Sequence, residues 1–237
     1  MMLGSEAAED VASGRWSSPP ETLALGPDEV HVWRARLDRP PAGVEALLQV
    51  LSPDERTRAE RFRRPADRAR YIVSRGVLRH LLGRYTGSAP AALRFEYGPR
   101  GKPALAGGAA PAFNLGHSGD LALVALRQGM EVGVDLERIR PVEFDRIAGR
   151  MFAPGEVSRL RAKPAREQQA AFFSCWTCKE AYAKAVASPG REWEIRCWQW
   201  PAECRPTSSR RRWIKLLLLP PGRGRGTPAA ASGRSRA

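Results

Sequence analysis

With 237 residues and 43% hydrophobic content, the chain can bury a full core as one large domain or two small ones, which excludes a fibrous or wholly disordered protein. No apolar run approaches the roughly 20 residues of a membrane-spanning helix, since Leu216 to Leu219 is an isolated leucine stretch among Arg and Pro. The net charge of +14 is uneven: residues 187–237 hold 11 Lys/Arg against 3 Asp/Glu. Such a charge suits nucleic acid, a polyanionic small molecule or an acidic protein, and does not by itself choose among them.

Residues 1–28 are polar, include Ser17-Ser-Pro-Pro20 and are expected to form a mobile leader. The start, Met1 to Asp10, has neither the basic flank nor the apolar core of a secretory signal. With four cysteines in the chain, this points to a reducing, cytoplasmic compartment. Val30-His-Val-Trp-Arg34 alternates as a strand, with Val30 and Val32 on one side and His31 and Trp33 on the other. Ser52-Pro-Asp-Glu55 is a helix start, with Ser52 as N-cap and Glu55 placed for a capping box. It opens a helix rich in arginine (Arg56, Arg58, Arg61, Arg63, Arg64) that Pro65 interrupts, and a second helix is predicted over Asp67 to Arg84 with Leu78, Leu81 and Leu82 inward.

Tyr97-Gly-Pro-Arg-Gly-Lys-Pro103 reads as a tight turn. Short strands are predicted at Phe113 to Leu115 and Leu121 to Leu126, flanking the turn-like His117-Ser-Gly-Asp120. Another covers Glu131 to Glu137, and a long helix covers about Glu167 to Val186 after the break at Pro154-Gly155. The layout predicts an α+β fold of two mixed halves with a site at their junction.

Two of these segments carry chemistry that fits together. In Gly133-Val-Asp-Leu-Glu137, strand alternation puts Asp135 and Glu137 on one face and Val134 and Leu136 on the core side, a two-carboxylate platform for a hard cation. In the long helix, Phe173, Thr177, Glu180 and Lys184 share a stripe, so Glu180 and Lys184 project about one turn apart. A third carboxylate beside an ammonium suits metal-assisted transfer of a phosphate-bearing group. The plainer readings are a solvated strand face and an i, i+4 surface ion pair. Cys175-x-x-Cys178 has no second CxxC or matching His spacing, so packing is the expected role of both cysteines.

Three ordered blocks, Phe113-Asn-Leu-Gly-His-Ser118, Gly133-Val-Asp-Leu-Glu137 and Trp176-Thr-Cys-Lys-Glu-Ala-Tyr-Ala-Lys184, resemble the 4'-phosphopantetheinyl transferase superfamily in its larger, single-chain Sfp-type form. The likeness runs from about Leu51 to Val186. It implies a pseudodimeric fold and transfer of 4'-phosphopantetheine from coenzyme A to a serine of an acyl or peptidyl carrier protein. Asp135, Glu137 and Glu180 would be the magnesium ligands, with Glu180 also acting as general base. Lys184 would stabilise charge on the phosphoryl group, while Arg58, Arg70, Lys102, His117 and Lys179 would contact coenzyme A. A monomer is expected, without membrane or nucleic-acid partners. Carrier proteins are usually acidic around the reacting serine, which a basic transferase would attract. Gly116 departs from the family, which usually has serine there. The competing expectation is a relic that only binds carrier protein or nucleic acid.

By this reading, residues 1–28 are the leader, 29–112 the N-terminal half and 113–186 the C-terminal half with the metal site. Residues 187–237 form an atypical basic tail, leaving the C-terminal half short. Four of the seven tryptophans fall in 193–213, followed by Arg, Gly, Pro, Ser and Ala, a composition suited to disorder. A shifted reading frame near residue 187, or a diverged end, would give this change.

Overall fold

A computed structural model describes residues 4–6, 16, 20–27, 29–108, 111–186 and 212–218. The alternation read near Val30 becomes strand β2 (Val30–Arg36), which joins the short β1 (Gly4–Glu6) on one side. On its other side lies β6 (Leu121–Arg127), which in turn pairs with β5 (Ala112–Ser118). The result is an antiparallel sheet ordered β1-β2-β6-β5. Trp33, Ala35, Val124 and Leu126 face a core completed by Ile72, Val73, Val77, Leu78, Leu81 and Leu82. These come from the long helix α3 (Pro65–Thr86), reached through α1 (Pro41–Leu48) and α2 (Pro53–Glu60). Val30, Val32, Leu123 and Ala125 point to the opposite face, where Val132, Val134 and Leu136 of β7 (Val132–Arg138) cover them.

The strands β5 and β6, expected in a second half beginning at residue 113, instead complete the sheet that β2 starts. Ladder pairing across the chain, from Val30↔Arg127 to Arg36↔Leu121, places them in the first unit. The turn read at Tyr97 to Pro103 closes a hairpin between β3 (Phe95–Tyr97) and β4 (Pro103–Leu105), with Gly101 at φ 74°. Beyond β7, α4 (Phe144–Met151), α5 (Pro154–Arg161) and α6 (Ala165–Val186) share a core of Phe152, Leu160, Phe172 and Phe173. Cys175 and Cys178 are buried free thiols of that core; Cys197 and Cys204 lie outside the described residues.

The basic tail is not wholly without a sheet. Arg212–Leu218 forms β8, antiparallel to β7 from Val132↔Leu218 to Arg138↔Arg212. Its run of Ile and Leu residues beside a tryptophan has the β-favouring character that tail-wide composition concealed. The rest of 187–237, and most of the leader, lies outside the described residues.

Helix α6 lies tightly on β7 because of one glycine. A Cβ at Gly133 would stand 1.9 Å from the Ala181 carbonyl oxygen and 2.8 Å from the Ala185 nitrogen, well inside van der Waals contact. The absent side chain therefore sets how close the helix bearing Glu180 and Lys184 comes to the strand bearing Asp135 and Glu137.

Candidate active site

The block Phe113 to Ser118 lies on β5, and each residue has a distinct task. Phe113 packs edge-on against Phe95 in the core. Asn114 is buried, and its Oδ1 accepts the Val134 N–H at 2.9 Å. Four residues on, Ser118 Oγ accepts the Arg138 N–H at 3.1 Å and contacts Glu137 Oε2 at 3.1 Å. Side chains of β5 thus stitch it to β7 in a parallel register. Gly116 sits between them, where a Cβ would come 2.9 Å from the Val134 carbonyl oxygen. Its lack of a side chain, where the family usually has serine, admits the close approach of the two strands. His117 points the other way, into a cavity.

Alternation on β7 leaves Val134 and Leu136 in the core and turns Asp135 towards α6. Asp135 is only 5% exposed, and its Oδ1 accepts a hydrogen bond from Lys184 Nζ at 2.6 Å. The other carboxylate oxygen, Oδ2, is buried without a hydrogen-bond partner among the described residues. Burial pushes the Asp135 carboxyl up to about 6; Lys184 opposes the rise, while the charges of Glu137 and Glu180 add to it. The three acids therefore share one electrostatic neighbourhood. Among the described residues they are not gathered closely enough to form a ready-made metal cluster.

The stripe on α6 divides. Phe173 and Thr177 are buried, with the Thr177 hydroxyl donating to the Phe173 carbonyl at 2.8 Å, while Lys184 contacts Asp135 and Glu180 acts on that carboxylate through its charge. Lys184 bridges to β7, contrary to the plainer reading that paired it with Glu180.

A cavity of ≈480 Å³ opens between these elements and the first unit. Lys184 and Ala183 of α6, His117 of β5 and Lys102 of the hairpin line it. Arg58, Tyr71 and Arg75 from α2 and α3, with Tyr97 and Arg100 from the hairpin, complete the lining. Desolvation holds the His117 pKa below its ordinary value; the Lys184 and Arg70 charges reinforce this and Glu137 opposes it, the net direction favouring the neutral imidazole. The ammonium of Lys102 is paired with Glu131, the residue just before β7, and lies 3.3 Å from the Val132 carbonyl.

Two expected cofactor contacts do not face the cavity. Arg70 lies near His117 but is held by Asp120 and Asp67, at 2.9 and 3.1 Å. Lys179 turns to Glu156, at 2.8 Å, and ties α6 to α5. Glu156 is fully buried and also accepts the Ala153 N–H at the start of α5, so the pair fastens two helices together.

Arg75 was missed by the sequence reading. Its guanidinium and that of Arg79 both bond Glu55, each with a contact of 2.6 Å, and Arg75 also reaches the Tyr97 hydroxyl at 3.3 Å. Glu55 accepts the Ser52 N–H at 3.1 Å as well, so the capping residue read from sequence doubles as the centre of a buried ion cluster. Arg75 and Arg79 fall one helical turn apart within a largely apolar stretch, which was the available signal.

Comparison with known proteins matches this division of the chain. Residues 37–129 match the family described as 4'-phosphopantetheinyl transferase, N-terminal, and residues 131–223 match the 4'-phosphopantetheinyl transferase superfamily. The chain is 40% identical over 210 residues to the 4'-phosphopantetheinyl transferase HetI of Nostoc sp., covering 86% of this chain and 89% of that protein. The chain belongs to the 4'-phosphopantetheinyl transferase superfamily. It is also 40% identical over 160 residues to a putative 4'-phosphopantetheinyl transferase of Synechocystis sp., covering 66% of this chain and 64% of that protein. To the transferase Sfp of Bacillus subtilis it is 29% identical over 157 residues, covering 65% and 69%.

The transferase is of the Sfp-like type, as the resemblance implied. The two family matches meet near residue 130, where β6 ends and β7 begins, in agreement with the sheet pairing. The superfamily match continues through residue 223, past the position near 187 where composition suggested that the family pattern stops. Among the described residues, no helix is long and apolar enough to cross a membrane.

Proposed function

We propose that this transferase moves the 4'-phosphopantetheine group of coenzyme A to a serine hydroxyl of an acyl or peptidyl carrier protein, acting as a monomer in the cytoplasm. The serine oxygen forms a new bond to the phosphorus bearing pantetheine, the pyrophosphate P–O bond breaks, and adenosine 3',5'-bisphosphate leaves. The observation that carries this reading is the convergence of Lys184, His117 and Lys102, from three separate elements, on one cavity, with the Lys184 ammonium in contact with Asp135.

Among the described residues the acids do not form a preformed metal cluster, but two features suit a divalent cation if Glu137 and Glu180 close on Asp135. Asp135 retains a buried, unpartnered oxygen, and Glu137 and Glu180 act on the same carboxylate, an all-oxygen donor set of the kind magnesium takes. Asp135, Glu137 and Glu180 would hold it, and when bound it would neutralise charge on the pyrophosphate.

The chain's own groups do the rest. Glu180 takes the proton of the incoming serine hydroxyl, directly or through water. Lys184 offers an ammonium to the developing negative charge, while neutral His117 donates a hydrogen bond to a phosphate oxygen. Lys102 and Arg58 meet the remaining phosphate charge, and Arg75 adds a guanidinium held in a fixed orientation by Glu55. Tyr71 and Tyr97 give the cavity flat apolar walls suited to a purine.

Incubation with a fluorescent coenzyme A analogue, magnesium and apo carrier proteins tests the reading. Covalent label on a carrier serine, dependent on metal and abolished by Asp135→Ala, is the expected result. Absence of label on every carrier would return the protein to a binding role.

A further inference from the structure

The junction of α2 and α3 concentrates positive charge, of which the local structure uses Arg56, bonded to the Leu51 and Gln49 carbonyls, and Arg58, stacked over Tyr71. Residues 56–68 hold six arginines against two acids, Glu60 and Asp67, and Asp67 is engaged by Arg70. Some surface arginines elsewhere pair with acids, Arg36 with Asp38, Arg146 with Glu143 and Arg161 with Asp145, whereas exposed Arg94, Arg140 and Arg150 make no ion pair with a described residue but are scattered along the chain. Arg63, Arg64 and Arg68 are exposed and make no ion pair with a described residue. They also sit where a helix disfavours cations. Arg63 and Arg64 immediately precede α3, and Arg68 lies in its first turn, beside the positive end of the helix dipole. Folding gains nothing from their charge.

The corner borders the cavity. Phe62, 37% exposed, lies between Arg61 and Arg63 and lines the cavity wall with Arg58 and Tyr71. A macromolecule seated on the three arginines would therefore stand at the rim of the space that Lys184 and His117 also line. The macromolecule that must come there is the one bearing the acceptor serine.

We propose that Arg63, Arg64 and Arg68 form the docking surface for an acidic face of the carrier-protein substrate, with Phe62 as its apolar contact at the cavity rim. The inference rests on the transferase reading above. Charge complementarity selects the partner: three unpaired guanidiniums attract a cluster of carboxylates and speed the encounter.

The test is the charge-reversed full-length variant R63E/R64E/R68E, which leaves Arg58 and the remaining cavity residues in place. Acids at the start of α3 suit the helix dipole, so its melting temperature should equal or exceed that of the unaltered protein. With coenzyme A saturating, KM for an acidic carrier should rise about 10-fold or more, while kcat and KM for coenzyme A stay within about twofold. The salt dependence of kcat/KM for the carrier should flatten. A carrier with its acidic face changed to lysine should recover much of the loss. An unchanged KM for the carrier overturns the inference. So does an unchanged carrier KM accompanied by lost retention of a labelled oligonucleotide, which assigns the corner to nucleic acid. Failure of the unaltered protein to modify any carrier overturns the transferase reading, and this inference with it.

Discussion

Lys184 Nζ stands 2.6 Å from Asp135 Oδ1, across the gap between α6 and β7. The contact joins the helix and strand that carry the proposed chemistry, and it satisfies one oxygen of a nearly buried carboxylate. Lys184→Ala should therefore act on both stability and turnover. Loss of the buried partner is expected to cost about 1–3 kcal/mol in chemical denaturation, with kcat falling as well. The double variant Asp135→Asn/Lys184→Met should recover most of the stability and none of the activity. Additive stability losses would show that the two residues are not coupled.

The raised pKa of Asp135 gives a signed pH effect in chelator-treated protein. Its carboxyl holds a proton more tightly in the folded state, at about 6, than at the ordinary 3.8. The folded state then binds more protons than the unfolded chain across that window, so stability contributed by Asp135 is present at low pH and lost as pH rises from 3.8 through about 6. Asp135→Asn should flatten this slope in pH-dependent unfolding. An unchanged slope would show that Asp135 titrates normally.

Two glycines set the spacing of β5, β7 and α6. Gly133→Ala places its Cβ against backbone atoms that cannot move without shifting α6, so both stability and activity should fall severely. Gly116→Ser restores the residue usual in the family but brings a Cβ 2.9 Å from the Val134 carbonyl, so it should lower the melting temperature and leave coenzyme A binding no tighter. Thermal unfolding and KM for coenzyme A check both. A serine variant that is more stable and binds more tightly would contradict the steric account.

Glu55 holds two arginines, one of which lines the cavity. Glu55→Gln should cost about 3–5 kcal/mol, since it leaves the charges of Arg75 and Arg79 without their carboxylate. At temperatures where the variant is folded, KM for coenzyme A should rise, because Arg75 is no longer fixed. Stability loss with KM unchanged would confine the cluster to a structural role.

The elements that local pattern defines were legible in the sequence. The capping box at Ser52 and Glu55, the alternation at Val30 and the acidic strand at Asp135 all depend on neighbours within a few residues. The assignment of β5 and β6 to the first unit was not legible, because it depends on pairing with β2 some 90 residues earlier, which no local period encodes. The same limit hid the partners of the basic residues. Chain spacing offered Lys184 a partner at Glu180, and only the fold brings Asp135 to it. Lys179 could be assigned to a phosphate until Glu156 of α5 was seen beneath it. In the tail, average composition masked the short β-favouring run at Arg212–Leu218, which pairs with β7.

The most direct test of the central claim is metal-dependent labelling of an apo carrier by a fluorescent coenzyme A analogue, comparing the unaltered protein with Asp135→Ala and Glu180→Gln. The account predicts that label on the carrier serine requires magnesium and falls at least about 100-fold in either variant, while both remain folded by circular dichroism. Labelling at an undiminished rate in both variants, or equal labelling with metal chelated, would contradict the assignment of this site.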